Sequence, residues 1–345
     1  MKILVVTDLY PVSEGEKYTP RTIYNFVKCW KLLGHEVRVI KPNFLLNSFL
    51  RGKPFYKSGV YGDVENINYF LPFLGNVKNK IKTEFTPDVV VAHMPSGILF
   101  ADKLGFPFVA AVHGSDIEVL TKSLYKFYFK RCLLKAYGHA NKIAARSDVL
   151  KSNFLKLCPE YKDKIFTAYS GVDGAILRTW SDRGKISVLT CGKFIKRKNM
   201  DKVITACDKF ENVELMVIGE GKENLRKLSD KPIFTGHIPH NEVIEKMRNS
   251  DIFILPSENE TFGMVYLEAM AAGCITVCRK GDGIDGIIKD GENGFLCDNV
   301  EEVLNRILSC ENKNKILENA YNTVLELSEM NAAENYINYL AEIKN

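Results

Sequence analysis

The sequence lacks the features that identify membrane-spanning, exported and disulfide-stapled proteins. No run reaches the roughly 18 consecutive apolar residues that a spanning helix needs, and the opening run KILVVTDLY is too short for the apolar core of a signal peptide. The nine cysteines form no C-x-x-C pair and no zinc-ligand spacing, which argues against a disulfide framework and a zinc site. We therefore expect a protein of the reducing cytoplasm.

The sequence also lacks the fingerprint of a dinucleotide-binding dehydrogenase. Such an enzyme needs G-x-G-x-x-G after its first strand. The first loop here reads TDLYPVSEG, and the later GEGKEN, which begins at Gly219, ends in Asn224. An NAD(P)-dependent dehydrogenase is therefore disfavoured.

Acidic residues are absent from one stretch of the chain, residues 119–147. This stretch contains seven Lys or Arg, although the whole chain has a net charge of only +5. The excess of cations is thus local, and the remainder of the chain is slightly acidic. This distribution is not that of a uniformly basic nucleic-acid-binding protein.

Short apolar runs alternate with amphipathic segments of helical period along the 345 residues. The runs of the first half are KILVVTDLY, HEVRVIKP, DVVVAH, FPFVAAVHG, NKIAAR and KIFTAY, and those of the second half are ISVLTCG, VELMVIGEG, PIFTG, DIFILPS and CITVCR. Apolar strands that do not alternate in polarity are typical of a parallel sheet covered on both faces. The pattern predicts an α/β fold with two doubly wound, Rossmann-like domains.

The boundary between the domains is predicted within residues 170–185, where three glycines and several charges interrupt the order. We assign residues 1–172 to an N-terminal domain and residues 173–328 to a C-terminal domain. The final helix, about residues 329–345, is expected to pack back on the N-terminal domain.

Two loops that follow predicted strands carry concentrated chemistry, and ligands of open parallel sheets bind at the carboxyl ends of strands. The first loop, GKFIKRKN, begins at Gly192 and carries Lys193, Lys196, Arg197 and Lys198 just before a helix. Cations beside the unpaired N–H groups of a helix start favour phosphate binding. A solvated basic turn is the alternative interpretation.

The second loop, SENETFG, leads into an apolar helix that contains one buried-looking carboxylate, Glu268. Glu260 lies eight positions earlier, Thr261 is placed to cap the helix, and Gly263 lets a ligand approach the backbone. Helix side chains tilt towards the N-terminus, so Glu268 is expected to lean towards the same opening. Two carboxylates beside backbone amides suit a ligand with phosphate and hydroxyl groups, such as a nucleotide sugar. The alternative is a buried Glu paired with a Lys.

These motifs, in this order, resemble the retaining glycosyltransferases of family 4. Glu260 and Glu268 form the E-x7-E spacing within PSENETFGMVYLEAMAAGCITV, and the resemblance extends to LGHEVRVI, HGSD, YSGVD, GKFIKRKN and DGENGFL. The resemblance implies a GT-B fold, in which two Rossmann-like domains face each other across a cleft. It implies transfer of a hexosyl group from a UDP- or GDP-linked sugar to a glycan or lipid-linked acceptor, in cell-surface polysaccharide or glycoconjugate synthesis.

The resemblance also assigns roles to individual residues. It implies a catalytic group of His113, Lys198 and Glu260, with Lys198 on the donor diphosphate, Glu260 on the sugar hydroxyls and His113 near the reacting centre. Glu268 would hold the ribose. The other implied donor-binding residues are Gly15, Gly192, Lys193, Ile238, Thr261, Phe262, Gly263 and Met264, of which Ile238 would contact the base through its backbone.

The chain departs from the family pattern at two of these positions. Gly15 stands alone between Glu14 and Glu16, where the family often has a Gly-Gly pair. Lys193 stands where the family usually has Arg, which keeps the charge but loses the bidentate fork. The role of the first loop is therefore open.

The sequence contains no D-x-D pair, so a metal clamp of the GT-A kind lacks its usual ligands. We expect no metal and no cofactor other than the substrate nucleotide sugar. Two alternatives are a nucleotide-sugar epimerase of GT-B architecture, which consumes donor without an acceptor, and a non-catalytic sugar-binding protein.

The basic stretch 119–147 is also a candidate membrane-binding surface. Lys122, Lys126 and Lys130 recur every four residues among apolar and aromatic residues, as in a helix that lies on an anionic bilayer. The segment 43–62 adds further aromatics and cations. We expect peripheral binding to the inner face of the cell membrane. The alternative is an ordinary surface helix whose apolar face packs on the first sheet.

Overall fold

The computed structural model describes residues 1–12, 21–44, 57–69, 85–122, 129–181 and 184–344. They form two compact units, one of Met1–Ser170 together with Glu329–Asn345, the other of Gly171–Ser328. The division lies two residues before the predicted boundary between 172 and 173. The C-terminal helix belongs to the first unit.

The first unit is built on an eight-stranded sheet with the order β3-β4-β2-β1-β5-β6-β7-β8. All neighbouring strands are parallel except β3 and β4, which are antiparallel. The strands are β1 Lys2–Val6, β2 Glu36–Phe44, β3 Gly59–Tyr61, β4 Val64–Tyr69, β5 Val89–His93, β6 Phe108–Val112, β7 Lys142–Ala145 and β8 Ile165–Thr167.

Helices cover both faces of this sheet, as the continuously apolar strands require. The helices are α1 Thr22–Leu32, α2 Met94–Leu104, α3 Gly114–Thr121, α4 Phe129–His139, α5 Asp148–Leu157 and, from the end of the chain, α11 Glu329–Lys344. On one face α1 and α11 share a core in which the Trp30 ring nitrogen donates to the Ala333 carbonyl at 3.1 Å. Helices α2 to α5 enclose the core on the other face.

The second unit is built on a six-stranded, entirely parallel sheet with the order β11-β10-β9-β12-β13-β14. Its strands are β9 Ile186–Cys191, β10 Val213–Ile218, β11 Ile233–Gly236, β12 Ile252–Leu255, β13 Ile275–Arg279 and β14 Phe295–Cys297. Its helices are α6 Met200–Cys207, α7 His240–Arg248, α8 Met264–Ala271, α9 Val300–Ser309 and α10 Lys313–Glu326.

Each of the predicted apolar runs forms a strand, so the prediction of two Rossmann-like parallel-sheet units is confirmed. Three strands were not predicted. β3 and β14 have three residues each, which is too short for a period to be recognised, and β4 reads VENINY, in which polar residues interrupt the apolar run.

The prediction of one basic helix through Lys122 and Lys130 is wrong. Helix α3 ends at Thr121, Lys122 has an extended backbone, and α4 begins only at Phe129. Lys126 and residues 45–56 of the segment 43–62 lie outside the described residues. Among the helices of the described ranges, none is both long and apolar enough to cross a membrane.

Candidate active site

The two chemically loaded loops meet in the second unit because they follow neighbouring strands. Strands β9 and β12 are paired in parallel, so the loop from Gly192 and the loop from Ser257 leave the same edge of the sheet. The Glu258 N–H donates to the Arg197 carbonyl at 2.7 Å, and the Asn199 side-chain amide donates to the Pro256 carbonyl at 2.9 Å. Backbone contacts thus fix the two loops together.

An ion pair between Lys198 and Glu260 joins the predicted phosphate-binding and sugar-binding groups. Both side chains are mostly buried, at 14% and 15% exposed. The same Glu260 oxygen accepts from the Ser257 hydroxyl at 2.7 Å and lies 3.3 Å from an Arg197 nitrogen. Burial alone would raise the pKa of Glu260, but Lys198, Ser257 and Arg197 together lower it, which keeps the carboxylate ionised.

Gly192 leaves room for the Lys198 side chain. A Cβ on Gly192 would lie 3.8 Å from Lys198 Cε, so the lysine stem extends over the backbone of Gly192. Lys198 itself ends a short 3₁₀ turn, Lys196–Lys198. Lys193, in contrast, is exposed. The structure therefore separates Lys193 from the buried ion pair that the sequence grouped with it.

Asp282, a residue that the sequence analysis missed, binds the backbone of the loop that carries Glu260. The Asp282 carboxylate accepts the N–H groups of Asn259 and Glu260, each at 2.6 Å, and that of Gly283 at 2.9 Å. No motif signals this role, because Asp282 binds backbone groups of a loop that is distant in the chain.

Helix α8 begins differently from the prediction. Gly263 is its N-cap, with a left-handed φ of 89°, and no side chain caps the helix, so the prediction that Thr261 caps it is wrong. The positive φ explains the need for glycine here. The amides of Gly263 and Met264 have no acceptor within the helix, which is what a phosphate or hydroxyl ligand requires. Phe262 anchors this turn through a fully buried ring.

Glu268, the second carboxylate of the spacing, lies on α8 and is 17% exposed. Its Oε1 lies 3.6 Å from Nε2 of His240, the first residue of α7, so the alternative in which a Lys pairs with it is wrong. Burial raises the pKa of Glu268, and His240 opposes that rise. Burial, followed by the Glu268 charge, raises the pKa of the Cys191 thiol to about 12, whereas Lys198 lowers it. Cys191 therefore lies within electrostatic reach of both Glu268 and Lys198.

Ile238 lies in the short connection between β11 and α7 and is half-buried. It precedes His240 by two residues, so the predicted base contact lies beside the residue that pairs with Glu268. These residues and the Lys198–Glu260 pair all belong to one unit, Gly171–Ser328. Their individual roles stay predictions.

His113 belongs to the first unit, where it follows β6 and precedes α3. Its Nε2 lies 3.2 Å from His93 Nδ1, and its backbone N–H donates to the Asp116 carboxylate at 2.8 Å. Burial, followed by the charge of Arg146, lowers the pKa of His93 to about 3, and burial lowers that of His113 well below its ordinary value. Both rings are therefore neutral at pH 7.

A cavity of about 20 Å³ adjoins both histidines and is also lined by Arg146 and Tyr336. That volume accommodates roughly one water molecule. Gly15, the remaining predicted site residue, lies outside the described residues.

Comparison with known proteins identifies the class. Over nearly the whole chain, the fold matches HepE from Anabaena in complex with UDP (TM-score 0.75, 17% identity, 99% of this chain and 100% of that one). It also matches the lipopolysaccharide outer core galactosyltransferase WaaB (TM-score 0.72, 16% identity, 99% of both chains). The fold is thus that of the GT-B glycosyltransferases.

The family follows from sequence models and relatives. Residues 19–175 match the model described as Glycosyltransferase Family 4, and residues 179–323 match that of Glycosyl transferases group 1. An uncharacterized glycosyltransferase of Methanocaldococcus jannaschii is 28% identical over 92% of this chain and 90% of its own length. A Bacillus subtilis glycosyltransferase named for teichuronic acid biosynthesis is 23% identical over 83% of each chain. The two model matches and these relatives together make the chain a GT-B glycosyltransferase of the family 4 type.

Proposed function

We propose that this glycosyltransferase moves a hexosyl group from a nucleoside-diphosphate sugar to a glycan or lipid-linked acceptor, with retention of the anomeric configuration. The observation that carries the proposal is the buried Lys198–Glu260 pair beside the start of α8. In this proposal Lys198 binds the diphosphate and Glu260 the sugar hydroxyls, and their ion pair supports a shared site because it brings the two side chains into contact. Glu268 supplies a second carboxylate for the ribose.

The chemistry of the proposed step is mainly electrostatic. When the bond between the anomeric carbon and the diphosphate breaks, negative charge develops on the leaving phosphate oxygen. The proposal assigns stabilisation of that charge to Lys198 and the backbone amides at the start of α8, and such fixed groups are the usual source of large rate enhancements. Glu260 would hold the sugar in place, and the neutral His113 would donate or accept a hydrogen bond rather than carry charge.

The nucleotide of the donor is proposed as uridine or guanosine diphosphate. The solved structures of HepE contain UDP or UDP-glucose, and one relative of 26% identity is named a GDP-mannose-dependent mannosyltransferase. Because both kinds of nucleotide occur among similar proteins, a panel of donors is the appropriate test. Several relatives are named for surface polysaccharides or phosphatidyl-inositol, which supports a cell-surface pathway.

The proposed reaction is metal-independent, because the sequence has no D-x-D pair and the cationic groups of GKFIKRKN can neutralise the diphosphate. Turnover is then expected to survive EDTA. Activity that disappears in the chelator and returns with Mg²⁺ or Mn²⁺ would contradict this part of the proposal.

A thermal-shift panel with UDP, GDP and their hexose derivatives tests the proposal. A ligand that binds the native state raises its melting temperature by mass action, so one nucleotide class should give a clear shift. Release of the free nucleoside diphosphate from the selected donor should then depend on added acceptor. An epimerase would convert the donor without acceptor, and a non-catalytic protein would bind without any turnover.

A further inference from the structure

We infer that Asp282 is a positioning residue that fixes the backbone of Glu260, and with it the direction of the Glu260 side chain, in the donor-sugar site. The inference rests on the proposed function, in which Glu260 holds the transferred sugar. The loop between β12 and α8 has no regular secondary structure of its own. Something outside the loop must therefore fix it.

At Asn259 and Glu260 the contacts that fix the backbone come from one carboxylate, in addition to the Glu258 contact with Arg197 described above. Asp282 Oδ2 accepts the Asn259 N–H and Oδ1 accepts the Glu260 N–H, both at 2.6 Å. Hydrogen bonds to an ionised acceptor are shorter and roughly twice as strong as neutral ones. The two oxygens of one side chain thus accept hydrogen bonds from two successive backbone N–H groups, and the second N–H belongs to Glu260 itself.

The backbone at Asn259 and at Gly283 has the conformation that these hydrogen bonds require. Asn259 has a left-handed φ of 57°, an arrangement that costs energy for a residue other than glycine and persists only where surroundings hold it. Gly283 lies directly beneath the loop, since a Cβ there would come within 2.8 Å of the Glu260 carbonyl and 2.9 Å of the Phe262 carbonyl. The turn 281–283 therefore packs directly against residues 259–262.

Asp282 acts on Glu260 through the backbone and not through its side chain. The Glu260 carboxylate already binds Lys198 and Arg197 of the neighbouring loop and Ser257 of its own loop. Loss of the Asp282 contacts would leave these groups in place but release the peptide to which the Glu260 side chain is attached. Small displacements of a positioning group are costly, since about 1 Å of misplacement can lower a rate 100-fold.

The inference predicts a defect confined to the sugar end of the donor. Asp282→Asn offers only one acceptor oxygen and points an amide N–H₂ at a backbone N–H, so one of the two hydrogen bonds to the loop is lost. We expect turnover to fall about 10- to 100-fold, while the affinity for the free nucleoside diphosphate, UDP or GDP, stays within about 2-fold in calorimetry because its binding groups are untouched.

Asp285→Asn is the matched control. Asp285 lies two residues after this turn and accepts the Gly281 N–H at 2.5 Å, but it does not bond to residues 259 or 260. This variant should keep normal turnover if the effect of Asp282 is specific. Near-equal losses in both variants would mean that the turn matters only for folding and would overturn the inference.

Hydrogen exchange of the peptide that contains Asn259 and Glu260 tests the two hydrogen bonds to Asp282 without reference to activity. Exchange should be faster in Asp282→Asn than in the wild-type protein and in Asp285→Asn. Unchanged exchange, or faster exchange with unchanged turnover, overturns the inference while leaving the proposed function intact. If no nucleotide or nucleotide sugar binds the wild-type protein, the proposed function fails, and the positioning role of Asp282 fails with it.

Discussion

At the residue scale, the cation that the site depends on is Lys198, and the turn around it offers a control. Lys198→Ala should lower turnover at saturating donor by about 100-fold or more, the order of effect when one fixed electrostatic group is removed. Lys196, in the same 3₁₀ turn, is exposed and does not contact Glu260 in the described structure. Lys196→Ala should therefore keep near-normal turnover. Near-normal turnover of Lys198→Ala itself would show that the proposed diphosphate contact is wrong.

The carboxylate on α8 has a separable role in donor binding. Glu268→Gln keeps the size of the side chain and a donor or acceptor for the ribose, but loses the charge-assisted bond. We expect the affinity for the nucleoside diphosphate to fall about 5- to 30-fold, since each charge-assisted bond contributes roughly 1–2 kcal/mol more than a neutral one. Isothermal titration measures this directly. An unchanged affinity would contradict the ribose contact.

The buried histidine pair predicts how the first unit responds to acid. His93 and His113 are neutral when folded, whereas in the unfolded chain they take up protons near pH 6.5. The two histidines therefore contribute stability that is fully present above pH 6.5 and falls as the pH decreases towards about 3, with a slope of up to about 1.4 kcal/mol per pH unit for each. Asp116, whose pKa burial raises to about 7, contributes a slope of opposite sign, so the histidine contribution is read from the difference between the proteins.

Urea unfolding followed by fluorescence of Trp30 measures that slope, since this ring is fully buried in the first unit. A Trp180→Phe background removes the only other tryptophan. His93→Asn keeps a polar atom near Nδ1 and should reduce the slope by the contribution of one histidine, up to about 1.4 kcal/mol per pH unit. His237→Asn, at an exposed position of the other unit, should not change it. An identical slope in all three proteins would contradict the neutral pair.

At the scale of elements, the start of α8 depends on one glycine. A Cβ on Gly263 would lie 2.5 Å from two ring carbons of Tyr266, and that ring is fixed because its hydroxyl donates to the Leu255 carbonyl at 2.7 Å. Gly263→Ala therefore combines an unfavourable φ with a collision. We expect a loss of about 2–3 kcal/mol of unfolding free energy and weaker donor binding.

Gly291→Ala separates these two causes. Gly291 also has a left-handed φ, of 75°, but nothing lies within 4 Å of a Cβ placed there. The loss in this variant should be only about 1 kcal/mol, the backbone cost alone. Urea unfolding followed by circular dichroism compares the two. Equal losses would mean that Tyr266 moves aside and that the start of α8 is not rigid.

The elements themselves were largely predictable from the sequence, and the exceptions have physical reasons. Strands β5 and β6 are buried at every position and apolar except at His93, because both faces of the sheet are covered, so the runs DVVVAH and FPFVAAVHG are unambiguous. The start of α8 was misplaced because Thr261 satisfies the sequence rule for a cap, whereas the αL geometry of Gly263 is a property of the folded loop.

The site divides in the same way. Glu260 and Glu268 could be identified from their spacing and from the absence of other charges between Phe262 and Ala272. Asp282 and His93 could not, because each acts on a residue about 20 positions away through a contact that only the fold creates. Groups that contact a ligand carry a motif, whereas groups that position them depend on tertiary structure.

At the scale of the whole molecule, the remaining question is whether the basic surface of the first unit binds membranes. Three apolar residues of α4, Leu133, Ala136 and Tyr137, are buried in the core, so they are not available to insert into a bilayer. Arg131 and Lys135 are exposed on the opposite face, and the helix contains no acidic residue. The exposed face of α4 therefore offers an electrostatic attraction to an anionic membrane.

Vesicle sedimentation tests this form of the proposal. Each basic residue near an anionic leaflet contributes about 1 kcal/mol, and salt screens the attraction within a Debye length of about 10 Å at 0.1 M. Binding to phosphatidylglycerol vesicles should therefore occur at low salt and disappear as salt rises. Changing both Arg131 and Lys135 to Glu should weaken it at least about 10-fold.

The control for that experiment carries the same change in net charge on the other unit. Lys227 and Lys289 are exposed there, and changing both to Glu should leave vesicle binding nearly intact if the surface of α4 is responsible. Equal weakening in both double variants would show that only net charge matters. No sedimentation of the wild-type protein at low salt would contradict membrane binding and favour an acceptor that is reached from solution.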